Sequence, residues 1–137
     1  MSSKRIFVID RSRTIQIILR THFCNAGHQV IVCNTPQEAL GILPGLPNAP
    51  DMIFLAIDDQ REAYKVIDVA KRQRADTHIV AMVIKEEQED IQRTVKTTDV
   101  SYLIKPFHIQ DALALVSAPV PGCASSGTRT IVREGEA

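Results

Sequence analysis

The chain has 137 residues, a hydrophobic fraction of 45%, and sixteen basic residues balanced by sixteen acidic ones. This size suits one domain with a substantial core. The balanced charge argues against a protein that its overall field holds on nucleic acid or on an anionic membrane, so we expect neither as a partner. No apolar run approaches the roughly 20 residues that cross a bilayer, and we predict a cytoplasmic protein.

The cysteines and histidines form neither a disulfide framework nor a metal motif. Cys24, Cys33 and Cys123 are odd in number and widely separated, which favours reduced thiols. His22, Cys24 and His28 lie close together, but no second cluster completes a zinc site. We therefore predict no metal and no cofactor.

Five short and nearly continuous apolar runs predict the strands of a sheet. Continuous rather than alternating hydrophobicity is typical of strands that are covered on both faces, as in a parallel sheet. The runs are Ile6 to Ile9, Val30 to Cys33, Met52 to Ile57, Ile79 to Ile84, and Val100 to Ile104.

Amphipathic segments that predict helices lie between and after these runs. The first has Ser12 as its expected N-cap, and the second opens on a capping box from Thr35 to Glu38 with proline at its first position. The third spans about 61–74, the fourth starts near Glu86, and the last covers about 109–116. Their expected inner residues are Ile15, Ile18, Leu19 and Phe23; Leu40 and Leu43; Val66, Ile67 and Ala70; Ile91 and Val95; and Leu113 and Val116.

The alternation of strand and helix predicts a flavodoxin-like (βα)5 domain with a doubly wound, parallel, five-stranded sheet. In such sheets, chemistry sits at the carboxyl ends of the strands. We place this domain at residues 1–118 and predict a flexible tail at 119–137, where the composition becomes small, polar and rich in turn residues. An alternative for the segment from Thr128 to Arg133 is that it adds a strand to the sheet of a partner.

Three segments resemble the receiver domain of bacterial two-component response regulators. Residues 4–12, Lys-Arg-Ile-Phe-Val-Ile-Asp-Arg-Ser, resemble its first strand and acidic turn, and residues 50–56, Pro-Asp-Met-Ile-Phe-Leu-Ala, resemble its third strand. Residues 100–107, ending in Lys-Pro-Phe, resemble its fifth strand and are the most specific match. The resemblance spans about Lys4 to Ser117, and implies a receiver-like fold and a role in signal transduction.

The phosphorylation site implied by the resemblance is degenerate. Receivers have two adjacent acidic residues that hold magnesium, an aspartate that accepts phosphate, a serine or threonine, and a lysine. Here Asp10 matches the first acid and Lys105 the lysine, but Arg11 stands at the second acid. Ala56 replaces the phosphoacceptor, and Val83 falls where the hydroxyl is expected. A methyl group cannot form an acyl phosphate, and the remaining charges are a poor magnesium site.

Other acids near the third strand offer a possible rescue. Asp58 and Asp59 follow it, and either one would have to replace the phosphoacceptor by folding back. We favour the alternative that both are ordinary solvated loop acids. We therefore predict no catalytic residue.

Two interpretations of the altered pocket remain open. In the first, Asp10 forms a permanent ion-pair network with Arg11 and Lys105, which replaces phosphate and metal by fixed charge. In the second, Arg11 and Lys105 bind an anionic ligand, which would make the chain a small-molecule sensor.

The resemblance also implies a switch aromatic at Tyr102, which relays phosphorylation to an interaction surface in receivers. A half-buried strand tyrosine with its hydroxyl at the surface is equally compatible with the sequence. The acidic run Glu86, Glu87, Glu89 and Asp90 is either a solvated face or, with Tyr102, part of a surface for a basic partner.

A scaffold with a disabled site predicts a phosphorylation-independent protein-protein interaction module, an adaptor or regulatory subunit in bacterial signalling. We expect a protein partner, and the sequence leaves open whether the chain also forms a weak homodimer. We do not expect an enzyme, because the sequence has no glycine-rich phosphate loop after the first strand and no Ser-His-Asp arrangement with supporting context.

Overall fold

The structure, a computed structural model, describes residues 3–58, 60–89, 91, 100–117 and 131–133. None of the helices in these ranges is long and apolar enough to cross a membrane. The strands are β1 Arg5–Ile9, β2 Gln29–Cys33, β3 Met52–Ala56, β4 His78–Ile84, β5 Val100–Lys105 and β6 Ile131–Arg133. The α-helices are α1 Arg13–Asn25, α2 Pro36–Ile42, α3 Gln60–Gln73 and α4 Ile109–Ser117, and short 3-10 turns lie at Leu43–Gly45 and Lys85–Glu87.

The strands form one parallel sheet in the order β2-β1-β3-β4-β5-β6. The order reverses direction at β1, so the sheet is doubly wound, as the alternation of strand and helix predicts. The first five strands are those expected from the apolar runs, each within a residue at either end. The flavodoxin-like fold is confirmed.

Each face of the sheet has its own apolar core because successive strand residues point to opposite sides. The first core lies under α2 and α3 and includes Phe7, Leu55 and Val83. The second lies under α1 and α4, where the rings of Phe23 and Phe54 lie 5.0 Å apart. Helices therefore cover both faces, which explains why the strand sequences are apolar throughout.

The N-termini of α1 and α2 follow the predicted capping. Ser12 Oγ accepts a hydrogen bond from the Ile15 N–H at 3.3 Å, and Thr35 Oγ1 accepts one from the Glu38 N–H at 3.2 Å. The Glu38 carboxylate, however, accepts from the Asn34 N–H at 2.6 Å, one residue before the N-cap. The reciprocal hydrogen bond of the capping box is therefore made with the residue before the N-cap.

The inner face of α1 differs from the predicted one at Ile18, which is 38% exposed, whereas Gln16 is buried. Leu19 and Phe23 are buried as expected, and Ile15 is half-buried. The amide of Gln16 donates hydrogen bonds to two acceptors, and an isoleucine at this position would leave both acceptors without this donor. The helix is therefore rotated so that Gln16 faces inward.

The fourth predicted helix is only partly described. After the turn at Lys85–Glu87, Gln88, Glu89 and Ile91 are helical, and Ile91 is buried in the core under α2 and α3. Val95, the other expected inner residue, lies outside the described residues.

Part of the predicted tail belongs to the sheet. Ile131–Arg133 form β6, which pairs in parallel with β5, so a flexible tail does not describe these three residues. Isoleucine and valine favour strands, and β5 offers a free edge for pairing. The rest of 119–137 lies outside the described residues, and the boundary at 118 stays a prediction.

Candidate functional site

A buried ion pair occupies the carboxyl end of the sheet. Lys105, at the end of β5, donates from Nζ to Asp10 Oδ2 at 2.8 Å, and the Asp10 side chain is only 3% exposed. The other carboxylate oxygen, Oδ1, accepts from the Ser12 N–H at 2.8 Å. Both oxygens of Asp10 therefore have a donor, and its charge is balanced within the fold.

Side chains alternate between the two faces along each strand, so the position of a residue in its strand determines whether it lies on the same side of the sheet as the ion pair. Ala56 lies in the core under α1 and α4, whereas Val83 lies in the opposite core. Ile84, one residue further along β4, returns to the side of Ala56 and is paired in register with Lys105. The expected position of the missing hydroxyl is therefore corrected from Val83 to Ile84. Both side chains are hydrocarbon, so neither can donate a hydrogen bond.

The lysine reaches Asp10 across two intervening strands. Because β3 and β4 separate β1 from β5, the lysine side chain has to pass the ends of both strands. Ala56 ends β3 on the same side and is 4% exposed. Its methyl group leaves room for the lysine to extend over the strand end, which a larger side chain would fill.

A buried amide connects the Asp10 turn to the start of α2. Gln16 Nε2 donates to the Asp10 carbonyl oxygen at 2.5 Å and to Asn34 Oδ1 at 2.7 Å. The Asn34 N–H in turn donates to Glu38. This network fixes the backbone that carries Asp10. The helical pattern gave no signal for it, since Gln16 reads as a polar residue beside the apolar stripe.

Arg11 does not join the ion pair. It is exposed, and the structure gives it no hydrogen bond or ion pair with another described residue. The predicted network of Asp10 with both cations is therefore corrected to a pair with Lys105 alone. The charge of Lys105 is balanced by Asp10, so the described residues do not present Arg11 and Lys105 together as a free anion site.

Magnesium, which the receiver resemblance implies, does not fit these residues. One carboxylate oxygen of Asp10 faces an ammonium group, Ala56 supplies no oxygen, and Arg11 brings a further positive charge. Magnesium requires several oxygen ligands in octahedral geometry. Asp58 is exposed and Asp59 lies outside the described residues, so the structure offers no support for a rescue by Asp58.

Tyr102 is buried rather than half-exposed. It is 3% exposed and packs in the core under α2 and α3, and its backbone is paired with Ile131 of β6. It is therefore not a surface contact, which corrects its assignment to the interaction surface. Glu86 and Glu89 are exposed and Glu87 is half-buried, while Asp90 lies outside the described residues.

Two of the imidazoles make hydrogen bonds with the backbone, and one thiol is buried. Within the described ranges, no group of three or more His, Cys, Asp or Glu side chains is placed to hold a metal ion. His22 Nδ1 lies 2.9 Å from the Ile18 carbonyl, and His28 Nδ1 accepts from the Lys4 N–H at 3.0 Å. Burial, with a smaller contribution from Glu38, raises the pKa of the Cys33 thiol to about 11.

The opposite end of the sheet carries a second ion pair, in which a carboxylate contacts an arginine. Asp51, just before β3, accepts from Arg74 Nη1 at 2.5 Å and from the Arg5 N–H at 2.8 Å. Burial alone would raise the pKa of Asp51, but these donors outweigh it and hold the pKa below its usual value. Nearby, His78 Nε2 and Ser101 Oγ lie 2.8 Å apart in the interior.

The chain is similar in structure to solved response-regulator proteins. A response regulator from Thermotoga maritima has a TM-score of 0.68 at 20% identity, over 84% of this chain and 95% of that one. A response regulator receiver protein from Sinorhizobium medicae WSM419 has a TM-score of 0.73 at 19% identity, over 85% and 93%. The chemotaxis response regulator CheY4 of Vibrio cholerae has 0.70 at 18%, over 84% and 97%.

In contrast to these structural likenesses, no protein-family model and no curated protein matches the sequence. Identities of 18–20% show a shared fold, and the site differs from the phosphorylation site that the receiver resemblance implies. The chain has the fold of the response-regulator receiver domain.

Proposed function

We propose that the chain is a phosphorylation-independent, receiver-like interaction module, an adaptor or regulatory subunit in bacterial signalling. The observation that carries this proposal is the Lys105–Asp10 pair over Ala56. The lysine already has a carboxylate partner, so the positive charge that would contact a phosphoryl group is neutralised within the fold. The domain is then held in one state and acts by binding rather than by catalysis.

The proposal is supported by what the site lacks chemically. An acyl phosphate needs a carboxylate nucleophile, and phosphoryl transfer depends on positioned cations and donors around the moving charge. Ala56 and Ile84 present hydrocarbon at the two positions on the site's side of β3 and β4. Phosphorylation would therefore have neither an acceptor nor a hydroxyl donor at the carboxyl end of these strands.

Intact mass after incubation with acetyl phosphate and magnesium tests the proposal. We expect no phosphoryl adduct on the native chain. The double variant Ala56→Asp/Arg11→Asp, which restores two carboxylates, serves as the comparison for the same reaction and detection. A stoichiometric phosphoryl adduct on the native chain, mapped to Asp10 or Asp58, would refute phosphorylation independence.

The acidic residues after β4 are the proposed contact for a partner. Glu86 and Glu89 are exposed and no described residue pairs with them, so a basic patch on another protein is their natural complement. Charge reversal in Glu86→Lys/Glu89→Lys should abolish co-purification of the native partner at low salt. Asp68→Lys on α3 is the matched control. Equal capture by both variants would remove this surface from the proposal.

A further inference from the structure

The edge of β5 is more deeply buried than the opposite edge of the sheet. β5 is buried along nearly its whole length, from Val100 to Ile104. β2, at the other edge, alternates between exposed and partly buried residues until Cys33. An apolar strand with an open row of backbone donors and acceptors invites pairing with another chain.

The sequence that covers this edge is the chain's own β6. Ile131, Val132 and Arg133 pair in parallel register with Tyr102, Leu103 and Ile104. The register shows that this short segment matches the β5 edge in direction and position. It leaves open which copy of the chain supplies the segment.

The connections between strands show that β6 does not follow the usual handedness within one chain. From β3 to β4 the chain moves along the sheet through α3, and from β1 to β2 it moves the opposite way through α1 on the other face. Both moves have the same hand, the right-handed one of about 98% of such units.

From β5 to β6 the chain moves in the same direction as from β3 to β4. The intervening helix, α4, however, lies on the face of α1 rather than on that of α3. The β5–α4–β6 connection within one chain is therefore left-handed, against the strong preference.

We propose that the β5 edge is a strand-acceptor site that is filled by residues 131–133 of a second copy, with the two copies exchanging their tails. Exchange removes the left-handed crossover, because β6 then joins a different sheet from the one that its own α4 covers. Residues 118–130 supply thirteen positions between α4 and β6, enough to span up to about 45 Å when extended. Exchange of an identical element is a low-cost route to a symmetric dimer.

This inference goes beyond the proposed function and does not depend on it. The exchanged strand lies beside Tyr102, so tail exchange would cover the β5 edge whenever the dimer forms. Assembly can be measured without phosphodonor or partner. A chain that does not assemble would therefore not contradict phosphorylation independence. A phosphoryl adduct in the phosphodonor experiment would likewise not contradict tail exchange.

Full-length double-proline variants test the exchange. Neighbouring backbone N–H groups in a strand point to opposite sides, so Ile131→Pro/Val132→Pro removes at least one donor directed at β5. The matched control is Ser125→Pro/Ser126→Pro, in the same tail but before β6. By light scattering over a concentration series, we expect a dimer for the native chain and the control, and a monomer for the β6 variant.

A mixed-label dimer identifies the copy that supplies the strand. We expect nuclear Overhauser contacts between β5 amides of a ¹⁵N-labelled copy and residues 131–133 of a ¹³C-labelled copy. This measurement uses the native sequence, so it stands even if a proline variant fails to fold. A monomer at every concentration, contacts confined to one copy, or a dimer unchanged in the β6 variant would each overturn the proposal.

Discussion

The two ends of the sheet each hold one carboxylate against a cation from a distant part of the chain. At the carboxyl end Asp10 meets Lys105, and at the amino end Asp51 meets Arg74. The Asp10 side chain is 3% exposed and that of Asp51 is 30% exposed. The contrast shows that a similar ion pair is partly exposed to water at one end of the sheet and has a buried carboxylate at the other.

Burial decides what each pair is worth. Water can solvate Asp51 when its partner is lost, so removal of Arg74 leaves a charge that is only partly desolvated. The buried Asp10 carboxylate is not solvated in this way, and among the described residues it would keep only its hydrogen bond from the Ser12 N–H. A buried charge that loses its partner is among the costlier defects in a fold.

Removal of the lysine at the carboxyl end should have the largest effect. Lys105→Met leaves the Asp10 carboxylate buried without its cation, and we expect it to lower the free energy of unfolding by about 2 to 4 kcal/mol. Urea denaturation measures this loss. Lys85→Met, at an exposed lysine close in the chain, is the control and should change it by less than about 0.5 kcal/mol. Similar small losses in both variants would mean that the pair contributes little.

A larger side chain at the end of β3 should weaken the same pair indirectly. Ala56→Leu places a branched side chain where Lys105 crosses the strand end, and we expect a loss of about 1 to 3 kcal/mol from overpacking and from displacement of the lysine. Denaturation of Ala75→Leu, at an exposed turn, gives the control. A neutral Ala56→Leu variant would show that the lysine takes another path.

The amino-end pair should give the smallest effect and a distinctive pH dependence. We expect Asp51→Asn to cost about 1 kcal/mol at neutral pH, because the pair is partly exposed. The pKa of Asp51 is lower in the folded chain than in the unfolded one, so its contribution is present above about pH 4 and is lost as the pH falls through the folded pKa.

Denaturation of Asp51→Asn and the native chain at neutral and strongly acidic pH checks this sign. The difference between them should shrink on acidification. Asp68→Asn, in an exposed pair with Arg72, is the control and should show little difference at either pH. A difference that grows toward acid would contradict the direction of the shift.

The fold was largely predictable because strands buried on both faces leave long apolar runs in the sequence. The start of α1 and the covered faces of β1 to β5 follow from local patterns. Ile18 was wrongly placed because its exposure depends on the hydrogen bonds of Gln16, whose acceptors lie in the loops after β1 and β2. β6 was missed as part of this sheet because its pairing depends on an edge that only the assembled sheet presents.

The candidate site was predictable in its parts but not in its geometry. Asp10, Ala56 and Lys105 were identified through the resemblance to receiver domains, and the structure brings them to the same side of the sheet. The residue at the expected hydroxyl position is Ile84 and not Val83. The two residues are neighbours in β4 and face opposite sides of the sheet, so only the strand register distinguishes them. Arg11 was expected in the pair because sequence proximity does not reveal which way a turn directs a side chain.

The ion pair also has a consequence for the speed of unfolding. Asp10 and Lys105 are 95 residues apart, and their contact joins the first strand to the fifth. Such non-local contacts form late, since the intervening chain must be ordered first. We therefore expect Lys105→Met to accelerate unfolding in stopped-flow experiments while leaving refolding nearly unchanged. The contact between Lys105 and Asp10 would then prolong the lifetime of the native state as well as stabilise it.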